Sequence, residues 1–490
     1  MAVLRTYRRE FARAKKKAEV YVVLGLKWGD EGKGKVIAYL AQNADLAIRA
    51  TGGANAGHTI YINGNKIALH LIPSGISSPK AMCLIGKGTV IDFEILDAEF
   101  EEVGKLIGEE QLFERIRISG TATVLMPYHK DLDAVYEEMK SEDGCAVGTT
   151  KKGIGPCYAD KINRVALKVY DLLQPVEVIE KKIAVAVKFH NAFYRGCGKE
   201  NYVVDPHELA VKYKSIGDKI KPLVVDGGNF VKSYLYNPDA TIVVEGAQAT
   251  RLSIEEGDYP NCTSSDCNIN GTLAGAHLSI DDVTEVVGAD KAYSSRVGNG
   301  PFTTEYEAHL DMNGNKLGYA SEEAFIGDRL RDFAGEYGAT TGRPRRVGAF
   351  DAVLTKSSCE LGSVDNLCIT RIDSLGEWGL QEGYVEMAVE YVYKGENINY
   401  YPDDIEYSGE IPQPVMLKFK GGWKITDDMK TYESLPELAK KFIKTIEDIS
   451  GVPVKYVGIG PKNEDLIVRD FSEEDSNSSC GGWLCDDLNN

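Results

Sequence analysis

Short apolar runs punctuate the chain. Val20–Leu24, Met82–Ile85, Thr241–Val244 and Leu367–Ile369 each read as a strand closed by a glycine-rich or polar turn, and Leu46–Arg49 reads the same way. Amphipathic stretches at Lys35–Gln42 and Ser434–Ile449 read as helices. Strand, loop and helix in alternation predict an α/β fold: a large, mainly parallel sheet with helices on both faces, forming a single large domain with subdomain insertions. In such sheets ligands gather at the carboxyl ends of the strands, where these loops lie. No Pro/Gly/Ser linker, repeat or low-complexity block interrupts residues 19–470. Residues 1–18 carry seven basic residues and one acid, which reads as a solvated basic tail or a targeting arm. Residues 471–490 hold five acids and no Lys or Arg, and their Ser, Asn and Gly content reads as a disordered acidic tail.

Composition narrows the classes. At 490 residues and 43% hydrophobic content the chain can build a substantial core, and its longest apolar runs fall short of the about 20 residues of a membrane span. A net charge of −18 disfavours a phosphate-driven grip on nucleic acid, while small anionic substrates need only a local basic cluster. The ten cysteines form no CxxC pair and read as reduced thiols of a cytoplasmic protein; the seven histidines show no HExxH spacing.

Four loops carry candidate chemistry. The first strand runs into Gly25-Leu26-Lys27-Trp28-Gly29-Asp30-Glu31-Gly32-Lys33-Gly34-Lys35 and then a helix, which makes an anion cradle of backbone amides and lysines. It is a P-loop-like phosphate loop, with Val36 where a magnesium-holding hydroxyl stands in the ordinary pattern. Carboxylates beside phosphates repel them, so Asp30 and Glu31 call for a metal ion or for a base at the reacting atom. The second loop, Thr51–Thr59, combines small residues with Asn55 and His58 as specific donors. Gly148-Thr149-Thr150-Lys151-Lys152-Gly153-Ile154-Gly155-Pro156 suits a second phosphate site or a basic surface loop equally well. Gly338–Arg346 sets three guanidiniums in four positions, suited to carboxylate or phosphate. Finally, Asp373 ends the apolar strand at Leu367, where a carboxylate can read the N1–H and 2-amino hydrogens of guanine. Together these loops describe a phosphate-driven ligase or a kinase.

The motifs WGDEGKGK (28–35), GGANAGHT (52–59), HLIPSGI (70–76), GTTKKGIGP (148–156), EGAQ (245–248), YPNCTSS (259–265), RVGNGPFTTE (296–305) and GATTGRPRR (338–346) closely resemble, in order, those of the adenylosuccinate synthetase family. The resemblance spans about residues 20–470 and implies a GTP- and Mg²⁺-dependent ligase of purine biosynthesis that joins IMP to L-aspartate through 6-phosphoryl-IMP. It implies that Asp30 is the base and a metal ligand, His58 the acid at the leaving β-phosphate, Lys33 a γ-phosphate contact and the Gly57 carbonyl a second metal ligand. Asn55, Thr150, Gln248 and Thr263 match IMP contacts, and Arg343 a ribose or substrate contact. Arg164 matches an arginine lent by the other subunit of a homodimer. Thr341 and Arg345 match aspartate contacts. Gly29, Gly32, Gly34 and Lys35 match the GTP phosphate cradle, and Arg371, Asp373, Gly458 and Gly460 the guanine site.

Several positions depart from the family pattern: Leu26, Lys27, Thr51, Ala54, Arg251, Ser253, Asp266-Cys267-Asn268 and Arg371. Because they fall near the purine motifs, they raise an alternative in which the same chemistry acts on GMP or dGMP, with ATP or dATP as phosphoryl donor. An alternative of another class is a non-catalytic GTP-binding regulatory module.

Overall fold

The computed structural model describes residues 17–142, 150–311, 314, 315, 317, 325–338 and 342–471. Ten strands form the central sheet: β1 (Glu19–Gly25), β2 (Leu46–Arg49), β3 (Met82–Ile85), β4 (Ile116–Ser119), β5 (Val224–Val225), β6 (Thr241–Glu245), β7 (Glu285–Lys291), β8 (Asn366–Thr370), β9 (Val454–Gly458) and β10 (Leu466–Val468). Their order is β10-β9-β8-β7-β1-β6-β2-β3-β4-β5. Every neighbouring pair is parallel except β9 with β10. The mainly parallel α/β sheet read from the sequence is therefore present.

Period-two alternation explains the two-sided burial. Val20, Val22 and Leu24 of β1 join Ile242, Val244, Leu367 and Ile369 in the core on one face. Val23, Val243 and Cys368 point into a separate core on the other, against Val36 and Ile37 of helix α1 (Lys33–Leu40). A third core gathers Cys83, Ile85, Ile116 and Ile118 of β3 and β4 with Tyr128, Leu132 and Tyr194 from α2 (Pro127–Glu142) and α4 (Val176–Gly196). Between those helices lies α3 (Ile154–Ile162).

Strand β7 escaped the sequence reading because Gly288, Asp290 and Lys291 break its apolar run, yet all its residues are buried and it sits beside β1. The expected helices shift by a few residues: α1 starts at Lys33 rather than Lys35, and the later one, α6, spans Glu437–Ser450 rather than 434–449. Asp373 is also relocated. The strand stops at Thr370, Arg371 turns the chain with φ 64°, and Asp373 lies in the first turn of α5 (Ile372–Glu382). At the amino end, Ala18 is buried and its N–H donates to the Leu235 carbonyl (2.9 Å), so this residue of the segment read as a tail belongs to the core. Residues 1–16 and 472–490, the remainder of the two expected tails, lie outside the described residues. Among the described residues no helix is long and apolar enough to cross a membrane.

Candidate active site

The carboxyl ends of β1, β2, β6 and β8 open onto one cavity of about 860 Å³. Gly29, Asp30, Gly32, Lys33, Gly34 and Lys35 line it on one side, and Asn55, Gly57, His58, Thr150, Gln248 and Thr263 on another. Arg345, Arg371, Asp373 and Gly460 complete the wall. Segments far apart in sequence thus converge on one cleft.

The phosphate loop has the form expected of an anion cradle. α1 begins after Gly32, whose φ of 87° suits glycine, and no side chain caps the helix, leaving its first amides available to a ligand. Asp30 itself sits at φ 62°. The Glu31 carboxylate accepts from the backbone N–H of Gly29 (2.7 Å) and of Lys27 (3.2 Å) and from Lys33 Nζ (3.0 Å). Gly25 is needed here, since a Cβ would stand 2.7 Å from the backbone carbonyl oxygen of Gln248. Lys35 Nζ turns away from this group and donates to the carbonyls of Gly460 (2.7 Å) and Asp465 (2.5 Å), and burial lowers its pKa.

The second loop is fixed from behind. Tyr158 Oη accepts from Gly52 N–H (3.1 Å) and donates to the Gly88 carbonyl (2.7 Å). Asn55 Nδ2 reaches Thr263 Oγ1 at 3.4 Å, while Asn55 Oδ1 is buried without a hydrogen-bond partner. His58 packs against the buried residues Arg49 and Glu245, which end β2 and β6. Burial, then Arg49, lowers the imidazole pKa. Glu245 and Arg49 were not singled out in the sequence; the signal available was a charged residue closing an otherwise apolar strand.

At the third loop, Gly148 and Thr149 lie outside the described residues, and Thr150 lines the cleft. Gly153 donates its N–H to Asp133 Oδ2 of α2 (2.9 Å), and a Cβ on it would meet the His129 backbone at 2.7 Å. Behind it His129, Asp160 and His190, distant in sequence, come together. His129 Nδ1 accepts from Met126 N–H (3.0 Å), so its Nε2–H donates to Asp160 Oδ2 (3.0 Å), which His190 Nε2 also reaches (2.9 Å). These bonds satisfy the group as a buttress. Arg164, past the end of α3, is exposed and outside the cleft, and Ile162 beside it is 76% exposed.

The arginine loop divides its labour. Arg345 Nη2 lies 2.8 Å from Asp30 Oδ2, and its Nη1 donates to Glu336 Oε2 (2.7 Å). The other Glu336 oxygen accepts from Lys291 Nζ (2.8 Å) and Tyr293 Oη (2.6 Å). Burial alone would raise the Glu336 carboxyl, but Lys291 and Arg345 hold it down at about 2. Arg346 grips Glu305 with two nitrogens (2.7 and 2.5 Å) and bonds the Gly300 carbonyl (2.8 Å), a purely structural clamp. Arg343 is exposed and does not line the cleft, and Thr341 lies outside the described residues.

At the far end, Asp373 faces the cleft with Oδ1 buried and unpartnered, and burial raises its pKa. Gly458 closes β9 and is buried rather than lining the cleft, whereas Gly460 lines it.

Of the positions that depart from the family pattern, Arg371 alone lines the cavity. The others stand behind its wall. Lys27 is buried 3.1 Å from Asp290 and over the Phe350 ring. Ser253 donates to Asp266 Oδ1 (2.9 Å), so two departures answer each other. Arg251 pairs with Asp258 (3.0 Å), which also holds Arg296 (2.7 Å) and the Trp28 indole N–H (2.8 Å) beneath the phosphate loop.

Comparisons with known proteins agree with this arrangement. The family model described as adenylosuccinate synthetase matches residues 22–467. An adenylosuccinate synthetase of Heliobacterium modesticaldum is 36% identical over 449 residues, covering 91% of this chain and 98% of that protein. The fully ligated adenylosuccinate synthetase of Plasmodium falciparum superposes with a TM-score of 0.81 at 33% identity, over 92% of this chain and 100% of that one. The cyanophage S-2L succinoaminodeoxyadenylate synthetase bound to dGMP and dATP shares the fold, at 19% identity and a TM-score of 0.53 over 92% and 95% of the two chains. By the extent of these matches and the order of its cleft-lining loops, the chain belongs to the adenylosuccinate synthetase family.

Proposed function

We propose that the protein is a GTP-dependent ligase that forms adenylosuccinate from IMP and L-aspartate, and that the residues of the cleft divide the work as follows. Asp30 takes the N1 proton of IMP, so that O6 attacks the γ-phosphate of GTP. Lys33 and the uncapped amides of α1 neutralise the transferred phosphoryl group. His58 stabilises the leaving β-phosphate. Aspartate, held by Arg345 and Thr341, then displaces phosphate at C6. Phosphorylation turns a poor leaving oxygen into a good one, and the protein supplies positioning and charge.

Asn55, Thr150, Gln248 and Thr263 would hold IMP, and Arg343, outside the cleft here, would reach its ribose only if its loop moved inward. Gly29, Gly32, Gly34 and Lys35 would hold the GTP phosphates. Asp373, Arg371 and Gly460 would hold the guanine, with Gly458 behind Gly460, and the unpartnered buried Asp373 Oδ1 suits a base that donates hydrogens. Mg²⁺ takes hard oxygen ligands, and the Asp30 carboxylate and Gly57 carbonyl at the cradle are such donors. There the ion would offset phosphate charge. A homodimer, with Arg164 completing the partner's site, is supported by the exposed Arg164 and the 76% exposed Ile162 beside it. Free thiols such as Cys83, Cys157 and Cys368 suit a cytoplasmic setting.

The observation that carries this reading is an aspartate inside a phosphate cradle, tied to the arginine of a separate anion loop. A repelling acid belongs there when a proton must leave a nearby base. Because every departure except Arg371 lies behind the cavity wall, and Arg371 lines it beside Asp373 at the proposed guanine site, action on GMP or dGMP is not needed to explain them, nor is a regulatory module. Initial rates with IMP, GMP and dGMP, each crossed with GTP and ATP, test the reading. Turnover confined to IMP, GTP and aspartate supports it. A preference for dGMP, or GTP hydrolysis indifferent to aspartate, overturns it.

A further inference from the structure

The motif HLIPSGI, given no chemistry by sequence, and EGAQ, in which only Gln248 was given any, meet behind His58. Glu245 is 1% exposed and does not line the cleft. Its Oε2 accepts from the Ser74 backbone N–H (2.7 Å) and its Oε1 from Ser74 Oγ (2.8 Å). Oε1 also meets Arg49 Nη1 (3.1 Å) and the Nδ1 of His58. Ser74 is fixed in turn: it opens a 3₁₀ turn, and the three preceding N–H groups of His70, Leu71 and Ile72 are clasped by the buried Glu99.

We propose that Glu245 is a positioning residue of the reaction, acting through His58; this rests on the reading of His58 as the group at the leaving phosphate. A neutral imidazole carries one N–H, and its placement follows the stronger acceptor. A carboxylate locked on the Nδ1 side draws the proton to Nδ1 and sets the ring orientation. Nε2 is left as the ring nitrogen that faces incoming phosphate. Arg49 Nη1 lies 3.0 Å from Nδ1 and 3.4 Å from Nε2, and Glu245 offsets the guanidinium charge beside the ring. Ser74 holds the carboxylate so that it cannot rotate away.

The experiment is a double-mutant cycle with Glu245→Gln, Ser74→Ala and His58→Asn. In the wild-type background Glu245→Gln is expected to lower kcat by at least about 100-fold, up to the about 10⁴-fold seen when the orienting acid of a histidine is neutralised, with the KM for GTP and IMP within about threefold. Ser74→Ala, which keeps the backbone hydrogen bond and Arg49's partner, is expected to lower kcat by about fivefold, one hydrogen bond's worth. In the His58→Asn background both effects shrink below about twofold. Equal losses in both backgrounds overturn the proposal while leaving His58 in its role. Wild-type turnover of His58→Asn overturns the role of His58, and this proposal with it. If Glu245→Gln does not fold, the Ser74→Ala arm decides. Independently, ¹⁵N-histidine spectra, assigned by difference with His58→Asn, are expected to place the proton of neutral His58 on Nδ1. A proton on Nε2 overturns the proposal.

Discussion

Arg345 and Asp30 form an ion pair, Nη2 to Oδ2 at 2.8 Å, joining the loop that ends in three arginines to the phosphate loop more than 300 residues away in sequence. The pair is set by its surroundings: Glu336 holds the other side of the guanidinium, and Asp30 is held at φ 62°. The proposed base and the proposed aspartate clamp therefore share a charge balance. On that proposal, a substrate carboxylate that takes Arg345 would release Asp30 toward the purine.

Asp30→Asn is expected to remove at least about 1,000-fold of kcat, the upper range for a lost general base, with the Kd for GTP within about threefold. Steady-state rates and calorimetric titration check it, and wild-type-like turnover would remove Asp30 from the role of base.

Arg345→Leu is expected to raise the KM for aspartate by about 30-fold or more, the scale of truncating one partner of a desolvated charge pair, with the KM for GTP little changed. Rates measured across aspartate concentrations at saturating IMP and GTP decide it. An unchanged KM places the aspartate carboxylate elsewhere.

If Asp373 accepts the N1–H and a 2-amino hydrogen of guanine, ITP, which lacks the 2-amino group, should bind about tenfold more weakly than GTP. In Asp373→Ala the two nucleotides should become equivalent. A variant that still prefers GTP by the wild-type ratio shows that another group reads the base.

Acid should unfold the protein in two stages. Burial and cationic neighbours lower the His58 pKa, desolvation dominates at His129, and His277 is brought to about 4. The unfolded chain takes up these protons first, so stability starts to fall below about pH 6.5. Asp160, Glu245 and Glu336 are held at about 2 against the upward push of burial, by hydrogen bonds from His129 and His190, by His58 and Arg49, and by Lys291 and Arg345 respectively. Their stabilisation is complete above about pH 4.5 and is lost as pH falls toward 2, each adding a slope of up to about 1.4 kcal/mol per pH unit. Denaturant titrations between pH 7 and 3 measure both stages. A slope below pH 4.5 that is unchanged in Glu336→Gln would show that the Glu336 carboxyl does not titrate as described.

If Arg164 completes the partner's site, a mixture of inactive Arg164→Leu and inactive Asp30→Asn protein should regain activity. Equal random pairing makes about half the dimers mixed, each with one intact site of two, so about one quarter of wild-type activity is expected. No recovery after exchange of subunits assigns Arg164 to its own chain.

The apolar runs gave strands within a residue of their bounds at Leu46–Arg49 and Met82–Ile85, because a buried parallel strand needs little beyond continuous apolar side chains. Glycine spacing likewise marked the phosphate loop, since αL turns and close backbone approach restrict the residues allowed. β7 stayed hidden because its buried Asp290 and Lys291 are tolerated only through Lys27, Thr355 and Glu336, partners that local sequence does not name. Arg345 and Arg346, adjacent and chemically alike, took opposite roles for the same reason: one meets Asp30, the other Glu305.

The sequence alone determined the α/β class, the phosphate cradle, and the family whose motifs it carries in order. Only the tertiary structure decided which charges stand in the cleft and which behind it, that the departures at Lys27, Arg251, Ser253 and Asp266 face one another or the core, and that His58 rests on Glu245. The reason is physical. Backbone conformation and burial follow from short-range pattern, whereas the protonation and orientation of a charged side chain depend on partners within a few ångströms that the fold brings from distant parts of the chain.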